Sequence, residues 1–494
     1  MNLRDYQFGG IESIRDALRD GFSRIVAQAP TGAGKTVIAA AIIRMARAKG
    51  KRVIFCVPAL ELIDQTVARL ASNGIYDVGV IQGDHPMMNT SRPVQVCSIQ
   101  TLGRRGLMAL PPADIVILDE VHIQFKFYKT WMDAKSWVKV PFIGLSATPW
   151  AKGMAKLWQK LIIIRTVGEL IEEGYLCDFR VFASSHPNLK GVRTVTTAYG
   201  QDYDNKQLGE RMGTAKLVAD VVSTWLEKAQ GRPTLLFAVN RLHARALFDQ
   251  FKHAGVRAEY VDAYSTRDER TRISTMFNAG LVDVVCNVGV LTTGVDWDVR
   301  CIQLVRPTKS EMLYVQMIGR GLRTAQGKDF CLILDHSSTT ANLGFVTDIA
   351  HDELDDGKKV VSKASVPLPK ECPQCHCLRP LKVLTCPSCG FTVDPKNKVE
   401  HAAGELYEVE RKGKKKVPEP SMEDKEDFYR ELVRYQQLKG YKDGWAANCY
   451  REKYHVWPAN FFKQSPAPTI SAGTHSWVKH RNIALAKARQ KAST

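Results

Sequence analysis

A short glycine-rich segment near the N-terminus constrains the fold more than any other feature of this sequence. The segment Ala29-Pro-Thr-Gly-Ala-Gly-Lys-Thr36 follows an apolar run at 24–28 and opens a helical pattern at 35–48. Its glycines allow a tight turn that aims backbone N–H groups, and the positive end of the following helix, at a phosphate. The pattern predicts an α/β domain with a nucleotide site, and a turn that binds nothing is the disfavoured alternative. We expect phosphate contacts from Thr31, Gly32, Ala33, Gly34, Lys35 and Thr36.

Apolar runs rich in valine and isoleucine alternate with amphipathic helical patterns on both sides of a pause at about 166–215. Short runs of this kind are typical of parallel strands that are buried on both faces. The predicted strands are 24–28, 52–57, 78–81, 94–98, 115–118 and 142–145, and then 234–239, 258–261, 282–288, 301–305 and 330–334. We therefore predict two tandem parallel-sheet α/β domains. The boundaries are 1–165 and 166–345 for these domains, then a linker at 346–370, a zinc ribbon at 371–395, a charged linker at 396–427 and a basic, aromatic, helical region at 428–494.

Two adjacent carboxylates end an apolar run of the first domain, at Ile115-Val-Ile-Leu-Asp-Glu-Val-His122. An acidic pair at a strand end is usually only solvated, but this pair lies downstream of Gly-Lys-Thr in the same α/β unit. Mg²⁺ prefers oxygen ligands, so we expect Thr36 and Asp119 to hold it. Lys35 is placed to reach the β- and γ-phosphates, and Glu120 to orient or activate the attacking water.

Five of the twelve cysteines crowd into residues 372–389. Two Cys-x-x-Cys pairs separated by ten residues supply four thiolates, which is the ligand set of a tetrahedral structural zinc. A segment this short has too small a core to fold without a metal. We predict a zinc ribbon, with Cys377 as an alternative to Cys375, over a redox dithiol or free thiols. The expected zinc ligands are Cys372, Cys375, Cys386 and Cys389.

The chain is strongly basic, with a formal net charge of +18 at pH 7. This balance is typical of proteins with a polyanionic partner, although a generally basic surface explains it equally well. Residues 453–494 carry seven basic and no acidic side chains, which makes this tail a candidate for nucleic-acid contact, whereas most aromatic residues after 428 are expected to form a small core. No run approaches the ~18 apolar residues of a membrane span, and the N-terminus lacks a signal-peptide pattern. We therefore expect a cytoplasmic protein with no membrane partner.

The acidic pair also belongs to a series of motifs. Asp119-Glu-Val-His122 resembles the DEAD/DEAH box of the superfamily 2 helicases, and other motifs of that superfamily occur in the correct order. Leu3-Arg-Asp-Tyr-Gln7 resembles the Q motif, and Gln316–Arg323 resembles motif VI. Five further segments resemble the remaining motifs in chain order: motif Ia at 58–65, Ib at 98–102, III at 146–148, IV at 235–240 and V at 290–296. The resemblance implies nucleotide contacts, with Gln7 at the adenine edge, from Arg4, Gln7, Gly294, Asp296 and Gln316.

This resemblance implies a motor of two RecA-like domains with ATP and Mg²⁺ in the cleft between them. Arg320 and Arg323, on one face of a helix expected at 309–323, would neutralise charge on the γ-phosphate from across the cleft. The closest resemblance is to the bacterial RadD family of recombination-associated ATPases, whereas the C-terminal aromatic stretch is more similar to phage-encoded helicases.

The resemblance implies an ATP-dependent DNA helicase or translocase, with replication or recombination proteins as partners. An RNA helicase and a non-unwinding, ATP-gated accessory protein that remodels DNA complexes remain alternatives, because motors of this superfamily mostly hold the sugar-phosphate backbone. The expected cofactors are ATP, Mg²⁺ and Zn²⁺.

Overall fold

The chain folds into two compact units, Met1–Lys396 and Asn397–Thr494. The first unit contains two α/β lobes and a small cysteine-rich ribbon, and the second unit is helical. Among the described residues, no helix is both long and apolar enough to cross a lipid bilayer. The computed structural model describes residues 3–83, 85–183, 187–291, 297–358, 368–393, 420–463 and 465–492.

The first lobe is built on a seven-stranded sheet. The strands are β1 (Arg24–Gln28), β2 (Val53–Val57), β3 (Val78–Ile81), β4 (Val94–Ser98), β5 (Ile115–Asp119), β6 (Phe142–Ser146) and β7 (Lys160–Ile163). Their order is β3-β4-β2-β5-β6-β1-β7, and all neighbours are parallel. The interior strands β1, β2, β4 and β6 are buried at every position and are mostly apolar, as expected of strands covered on both faces. The segments after β1, β2 and β5 therefore meet at one sheet edge, where parallel α/β proteins bind ligands.

Helices connect these strands. They are α1 (Asp5–Arg19), α2 (Lys35–Arg47), α3 (Ile63–Ser72), α4 (Ile99–Arg105), α5 (Lys126–Asp133) and, after β7, α6 (Val167–Glu172). Helix α2 begins directly after the glycine-rich loop and buries its alanines and isoleucines. Helix α6 begins with a capping box in which the side chains of Thr166 and Glu169 satisfy each other's backbone N–H groups.

The second lobe begins with β8 (Asp178–Phe182) and an antiparallel hairpin of β9 (Thr194–Thr197) and β10 (Gly200–Tyr203). The elements that follow are α7 (Asn205–Met212), α8 (Ala215–Lys228), β11 (Thr234–Phe237), α9 (Arg241–His253), β12 (Ala258–Val261), α10 (Arg267–Asn278), β13 (Val284–Asn287), β14 (Cys301–Leu304), α11 (Glu311–Gly319), β15 (Phe330–Asp335) and α12 (Thr339–Leu343). The sheet order is β12-β13-β11-β14-β15-β8, again parallel throughout.

The two parallel sheets confirm the predicted fold class, and each predicted strand run contains a strand. Two edge strands, β7 and β8, were not predicted. Strand β8 lies within 166–215, so the expectation that the α/β alternation pauses there is wrong in this part. Its sequence, Asp178-Phe-Arg-Val-Phe182, carries two charged residues because an edge strand is covered on fewer sides than a central one.

Residues 346–358, the described first part of the segment predicted as a linker (346–370), pack onto the first lobe. We name them the strap. Asp355 accepts a hydrogen bond from a first-lobe backbone N–H group at 2.8 Å. His351 stacks on Trp150 with ring centroids 4.5 Å apart. The linker interpretation does not hold for the strap, because its buried apolar residues and its hydrogen bonds attach it to a lobe.

The cysteine-rich ribbon packs at the edge of the second sheet. Its two short antiparallel strands are β16 (Lys370–Glu371) and β17 (Leu378–Arg379). Phe182, at the end of β8, forms an isolated antiparallel bridge with Cys377. The next residue, Ala183, donates its N–H group to the carbonyl oxygen of His376 at 3.3 Å. The ribbon therefore extends the fold of the second lobe.

The C-terminal unit contains three helices, α13 (Met422–Lys439), α14 (Trp445–Tyr454) and α15 (Ala472–Ala492). Ser421 caps α13 in a capping box with Asp424, and Gly440 ends it in the left-handed conformation at φ 64°. A small buried cluster joins the helices and accounts for many of the aromatic residues, as the sequence predicts. Its members are Phe428, Leu432, Ala446, Cys449, Tyr450, Phe462 and Val478.

Candidate nucleotide cleft between the two lobes

A cavity of about 420 Å³ lies between the two lobes and contains most of the predicted nucleotide-site residues. The first lobe contributes the glycine-rich loop, the end of β5 and one side of α3, and the second lobe contributes the segment after α11. The predicted residues that line it are Arg4, Thr31, Gly32, Gly34, Lys35, Thr36, Asp119, Glu120, Arg320 and Arg323.

The glycine-rich loop has the backbone shape of a phosphate cradle. Gly32 and Gly34 adopt φ values of 92° and 80°, in the left-handed region that favours glycine. A β-carbon at Gly34 would lie 2.6 Å from the side-chain nitrogen of Gln7, so a larger residue would displace that contact. Gly34 is also the N-cap residue of α2. The positive end of α2 therefore faces the cleft beside Lys35 and Thr36.

The first helix supports this loop from behind. Tyr6 Oη and Gln7 Nε2 both donate to the carbonyl oxygen of Ala33 at 3.0 Å. Gln7 and Ala33 are buried and are not among the residues that line the cleft. The expected contact between Gln7 and the adenine edge therefore stays a prediction, whereas its contact with the loop is present here.

An arginine–tyrosine pair lines one end of the cleft. The Arg4 guanidinium carbon lies 4.6 Å from the ring centroid of Tyr175, and Tyr6 packs edge-on against the same ring at 5.0 Å. A flat cation and an aromatic ring are suited to hold a planar base. The sequence analysis missed Tyr175 because it follows α6 outside any motif, and also missed Arg69, which reaches the cleft from α3. The only signal for Tyr175 was an isolated aromatic residue between predicted elements.

The two acids after β5 are held differently. Glu120 adopts φ 48°, which turns its carboxylate towards Lys35 Nζ, 3.7 Å from Oε1. Its second oxygen, Oε2, lies 3.3 Å from His122 Nδ1, and that ring nitrogen is also 3.0 Å from Ser146 Oγ. Asp119 Oδ1 accepts the Glu120 N–H at 3.0 Å.

These surroundings move the pKa values of the two carboxyls in opposite directions. Burial, and then the neighbouring Glu120 charge, raise the pKa of Asp119 to about 6. Burial alone would also raise the pKa of Glu120, but the Lys35 charge and the His122 hydrogen bond outweigh it and lower that pKa to about 2. Oxygen ligands at Asp119 and Thr36 fit a Mg²⁺ ion, whose positive charge would also favour the ionised Asp119.

Both predicted arginines reach the cleft from the second lobe, but not from one helix face. Helix α11 ends at Gly319, so Arg320 is its last capping residue and Arg323 lies beyond it. The prediction of a helix through 323 is wrong because the chain turns at Gly321, where a β-carbon would lie 2.4 Å from Cys331 Sγ. Burial, and then Arg323, lower the pKa of Arg320 to about 10, which leaves it charged at neutral pH.

Gln316 does not line the cleft, although a nucleotide contact was expected of it. Its Nε2 donates to His122 Nε2 at 3.0 Å and to Thr148 Oγ1 at 3.1 Å. Both acceptors belong to the first lobe, so Gln316 is a buried link between the lobes. The remaining expected contacts, Gly294 and Asp296, lie outside the described residues.

The four predicted zinc ligands form one cluster. Their sulfur atoms all lie within 4.8 Å of one another, with Cys372 and Cys389 at 3.8 Å and Cys375 and Cys386 at 3.6 Å. Tetrahedral zinc at the usual Zn–S distance places its sulfur ligands about 3.8 Å apart, so the cluster fits that ion and is too wide for disulfides. Cys377 Sγ instead donates to the carbonyl oxygen of Leu378 at 3.6 Å, which excludes it from the set seen here.

Comparison with known proteins agrees with this geometry. The family model described as "Type III restriction enzyme, res subunit" matches residues 1–151, and "Helicase conserved C-terminal domain" matches residues 215–325. The "Putative ATP-dependent helicase IRC3" of Saccharomyces cerevisiae is 30% identical over 67% of this chain and 51% of that protein. The "51.5 kDa protein" of a Lactococcus phage is 28% identical over 78% of this chain and 82% of its own length.

A solved structure has the same fold. It is the fragment of a putative HsdR subunit of a type I restriction enzyme from Vibrio vulnificus, with a TM-score of 0.53 at 20% identity over 72% of this chain and 70% of that one. The two family-model matches and the helicase relatives confirm the resemblance to the superfamily 2 helicases. The chain spans about half the length of the yeast relative.

Proposed function

We propose that this chain is an ATP-dependent DNA motor that couples hydrolysis to translocation or unwinding. One observation carries the proposal: Arg320 and Arg323 of the second lobe line the same cavity as Lys35, Asp119 and Glu120 of the first. A site divided between two lobes is complete only when they are together. Hydrolysis therefore has a means of changing how the lobes sit, and so how they hold a strand.

Each side chain has a role that follows from its position. Lys35 and the α2 N-terminus bind the phosphates, and Arg320 and Arg323 neutralise the charge that develops on the γ-phosphate. Thr36 and Asp119 would hold Mg²⁺, which when bound would neutralise charge on the phosphates. Glu120 is ionised, so it accepts a hydrogen bond from the attacking water and orients that water.

The link through Gln316 supplies a path from hydrolysis to lobe movement. His122 contacts Glu120 on one side and Gln316 on the other. Gln316 also reaches Thr148, which follows β6 in the first lobe. A change at Glu120 during hydrolysis is thus two contacts away from α11 of the second lobe.

Nucleic acid is favoured as the track by the basic charge of the chain and by a second cavity on the second lobe. This cavity, of about 570 Å³, is lined by Asn205, Lys206, Asn240, Arg241, Leu242 and Arg245. It lies at the N-terminal ends of α7 and α9, where backbone N–H groups and basic side chains together suit a phosphate. The restriction-enzyme description of the first family model supports DNA rather than RNA.

We also propose that the ribbon holds a structural zinc through its four clustered thiolates. It packs on β8, so the zinc would stabilise the edge of the second sheet. Service in replication, recombination or repair follows from the RadD-like resemblance, and replication or recombination proteins are the proposed partners.

A panel of ATPase assays tests the proposed function. Hydrolysis is measured with single-stranded DNA, duplex DNA, forked DNA and RNA, together with strand displacement. We expect stimulation by DNA, loss of activity in Lys35→Ala and no change in Lys129→Ala, an exposed lysine of α5. Stimulation by RNA alone would identify an RNA helicase, and DNA stimulation without strand displacement would favour translocation or remodelling. Normal stimulated hydrolysis by folded Lys35→Ala would overturn the site.

A further inference from the structure

The C-terminal unit presents aromatic side chains to solvent in one loop, residues 455–461, which follows α14. Trp457 and Phe461 are 54% and 72% exposed, whereas Tyr450 and Phe462 on either side of the loop are 2% and 4% exposed. The unit therefore has a buried aromatic core and, next to it, exposed rings, of which Phe461 also contacts core Phe462 edge-on at 5.3 Å.

Backbone contacts fix both ends of this loop. His455 ends α14 in the left-handed conformation, at φ 61°, and donates its N–H group to the carbonyl oxygen of Arg451 at 2.8 Å. Lys463 donates its N–H group to Glu426 Oε1 of α13 at 3.1 Å. The exposed rings are therefore held out by an anchored backbone.

The chain segment that carries the loop is basic, although α13, which anchors it through Glu426, is rich in acids. The guanidinium carbon of Arg451 lies 4.6 Å from the centroid of the Trp457 ring. Glu452, the nearest acid in the sequence, is paired with Arg481 at 2.5 Å, and residues 453–494 carry seven basic and no acidic side chains. A ring that offers a stacking face beside cations is the combination that binds unpaired bases.

We propose that loop 455–461, together with Arg451, is a base-stacking site for single-stranded nucleic acid. Charge favours nucleic acid as the ligand, because a cationic segment without acids complements a row of phosphates better than it complements a protein surface of mixed charge. The proposal needs nucleic-acid binding only and does not depend on ATP hydrolysis. An anionic lipid surface has the same charge but no bases, so the test separates the two.

The test uses the full chain without nucleotide and fluorescence anisotropy of two labelled 20-mers, oligo(dT) and the same backbone without bases. Trp457→Ala should weaken oligo(dT) binding by at least about fivefold and leave the abasic strand within twofold. Trp457→Phe should restore most of the affinity. The control is Tyr76→Ala, an exposed aromatic residue of the first lobe.

Equal losses on both strands, or no loss on either, would overturn the stacking site. Loss of binding to phosphatidylserine vesicles, with oligonucleotide binding unchanged, would overturn it in favour of a membrane surface. Stimulated ATPase activity of the wild-type chain, measured on the same samples, reports separately on the motor.

A second, independent observation concerns the β9–β10 hairpin of the second lobe. Tyr199, in its turn, stacks on His122 of the first lobe, with ring centroids 5.8 Å apart and planes inclined by 28°. His122 is fully buried and contacts Glu120 and Ser146. The hairpin therefore touches the side chain that holds the proposed water-orienting carboxylate.

The same hairpin is fastened to the start of α11. Ser310 Oγ donates to the carbonyl oxygen of Tyr199 at 2.5 Å, and the Lys309 N–H group donates to buried Asp202 at 2.9 Å. Arg320 is the C-cap residue of helix α11. A movement of the second lobe that carries Arg320 into the cleft therefore also carries Tyr199 onto His122.

We infer that Tyr199 is a positioning residue that holds His122, and through it Glu120, in the geometry for hydrolysis when the lobes are together. This inference rests on the proposed ATPase function. Tyr199 is not among the residues that line the nucleotide cavity. Its loss should therefore lower turnover and leave nucleotide affinity unchanged.

The experiment compares Tyr199→Ala and Tyr199→Phe in DNA-stimulated ATPase assays and in titrations with a fluorescent ATP analogue. Alanine should lower kcat by roughly tenfold or more with nucleotide affinity within twofold, and phenylalanine should retain most of the turnover. Gln201→Ala, an exposed change on the same hairpin, is the control. An unchanged kcat in Tyr199→Ala, or a loss explained by weaker nucleotide binding, would overturn the role. Absence of stimulated hydrolysis in the wild-type chain would instead refute the motor.

Discussion

Glu120 shows how its surroundings prepare one residue for a reaction. Its backbone adopts φ 48°, a conformation that a non-glycine residue keeps only when its neighbours hold it there. Its carboxylate lies between Lys35 and His122, whose interactions outweigh burial and lower its pKa to about 2. The carboxylate is therefore ionised at every pH at which the protein is expected to work.

Replacing Glu120 by glutamine should stop turnover and leave the nucleotide bound. The amide keeps the size of the side chain but lacks the negative charge that holds and orients the attacking water, so kcat should fall by about 10²–10⁴-fold. Steady-state ATPase assays and nucleotide titration measure the two effects. Glu227→Gln, on an exposed glutamate of α8, is the control. Turnover within tenfold of wild type would contradict the role given to Glu120.

Arg320 should matter for the rate more than for nucleotide binding. The buried guanidinium stabilises charge that appears only during transfer, so Arg320→Ala should lower kcat by roughly 10³-fold. Lysine at this position should restore only part of the rate, because it lacks the planar pair of donors. ATPase assays of both variants, with exposed Arg272→Ala as control, provide the measurement. A normal kcat in Arg320→Ala shows that another group supplies the charge.

Cleft residues could be predicted from the sequence where one short segment of the chain contains everything that places them. The loop at 29–36 and the acids after β5 were predicted because turn, strand end and side chain lie in one short segment. The contacts of Gln316 and Tyr175 depend on how distant elements pack against each other, and a short sequence motif carries no information about that packing. Gln316 therefore faces His122 instead of the cavity, and Tyr175 enters the cavity from outside any motif.

At the scale of elements, the interior strands and the edge strands β3 and β12 were predicted, whereas the edge strands β7 and β8 were not. Interior strands such as β1 and β14 are mostly apolar and buried at every position because both faces of the sheet are covered. Strands β7 and β8 lie at sheet edges, where charged residues are tolerated and the apolar pattern is broken. The strap was misinterpreted for a related reason, since its attachment relies on a few hydrogen bonds and a few buried apolar residues within a largely polar sequence.

The ribbon offers a matched pair of cysteine variants. Purified protein should contain about one zinc per chain by elemental analysis. Cys389→Ser should lose the zinc and lower the thermal stability of the second lobe, because the ribbon packs on β8. Cys377→Ala should keep the zinc, since its thiol lies outside the four-sulfur cluster. Full zinc occupancy in Cys389→Ser, or zinc loss in Cys377→Ala, contradicts the ligand set.

Helix α9 contains a buried histidine that should make folding sensitive to acid. Burial lowers the pKa of His243 from 6.5 to about 4, so the folded protein keeps it neutral where the unfolded chain is protonated. The stability that the neutral, buried His243 allows is fully present above pH 6.5 and is lost as pH falls towards 4. In that window the free energy of unfolding changes by at most about 1.4 kcal/mol per pH unit. Urea unfolding at several pH values should show that the free energy of unfolding falls less in acid for His243→Asn than for the wild type. Parallel pH profiles for the two proteins would refute the role given to His243.

At the scale of the whole first unit, the strap links the two lobes directly. It continues from the second lobe, and His351 Nε2 lies 2.7 Å from Glu311 Oε2 at the start of α11. It also packs on the first lobe, where His351 stacks on Trp150. Asp355 accepts the Gly153 N–H at 2.8 Å and its carbonyl oxygen accepts another first-lobe N–H at 2.9 Å. Separation of the lobes therefore has to break contacts that lie outside the nucleotide cleft.

Asp355→Ala should shift the lobes towards separation. It removes a hydrogen bond between a charged side chain and the first lobe, worth about 1.5 kcal/mol or more, and this corresponds to roughly a tenfold change in the closed population. Because the cleft is complete only when the lobes are together, nucleotide affinity should fall by up to about tenfold. Asp356→Ala is the control, because Asp356 is exposed and pairs only locally with Lys358. Distance measurements between labels on the two lobes, with and without nucleotide, separate closure from binding. Equal closure in both variants would mean that the strap follows the lobes without holding them.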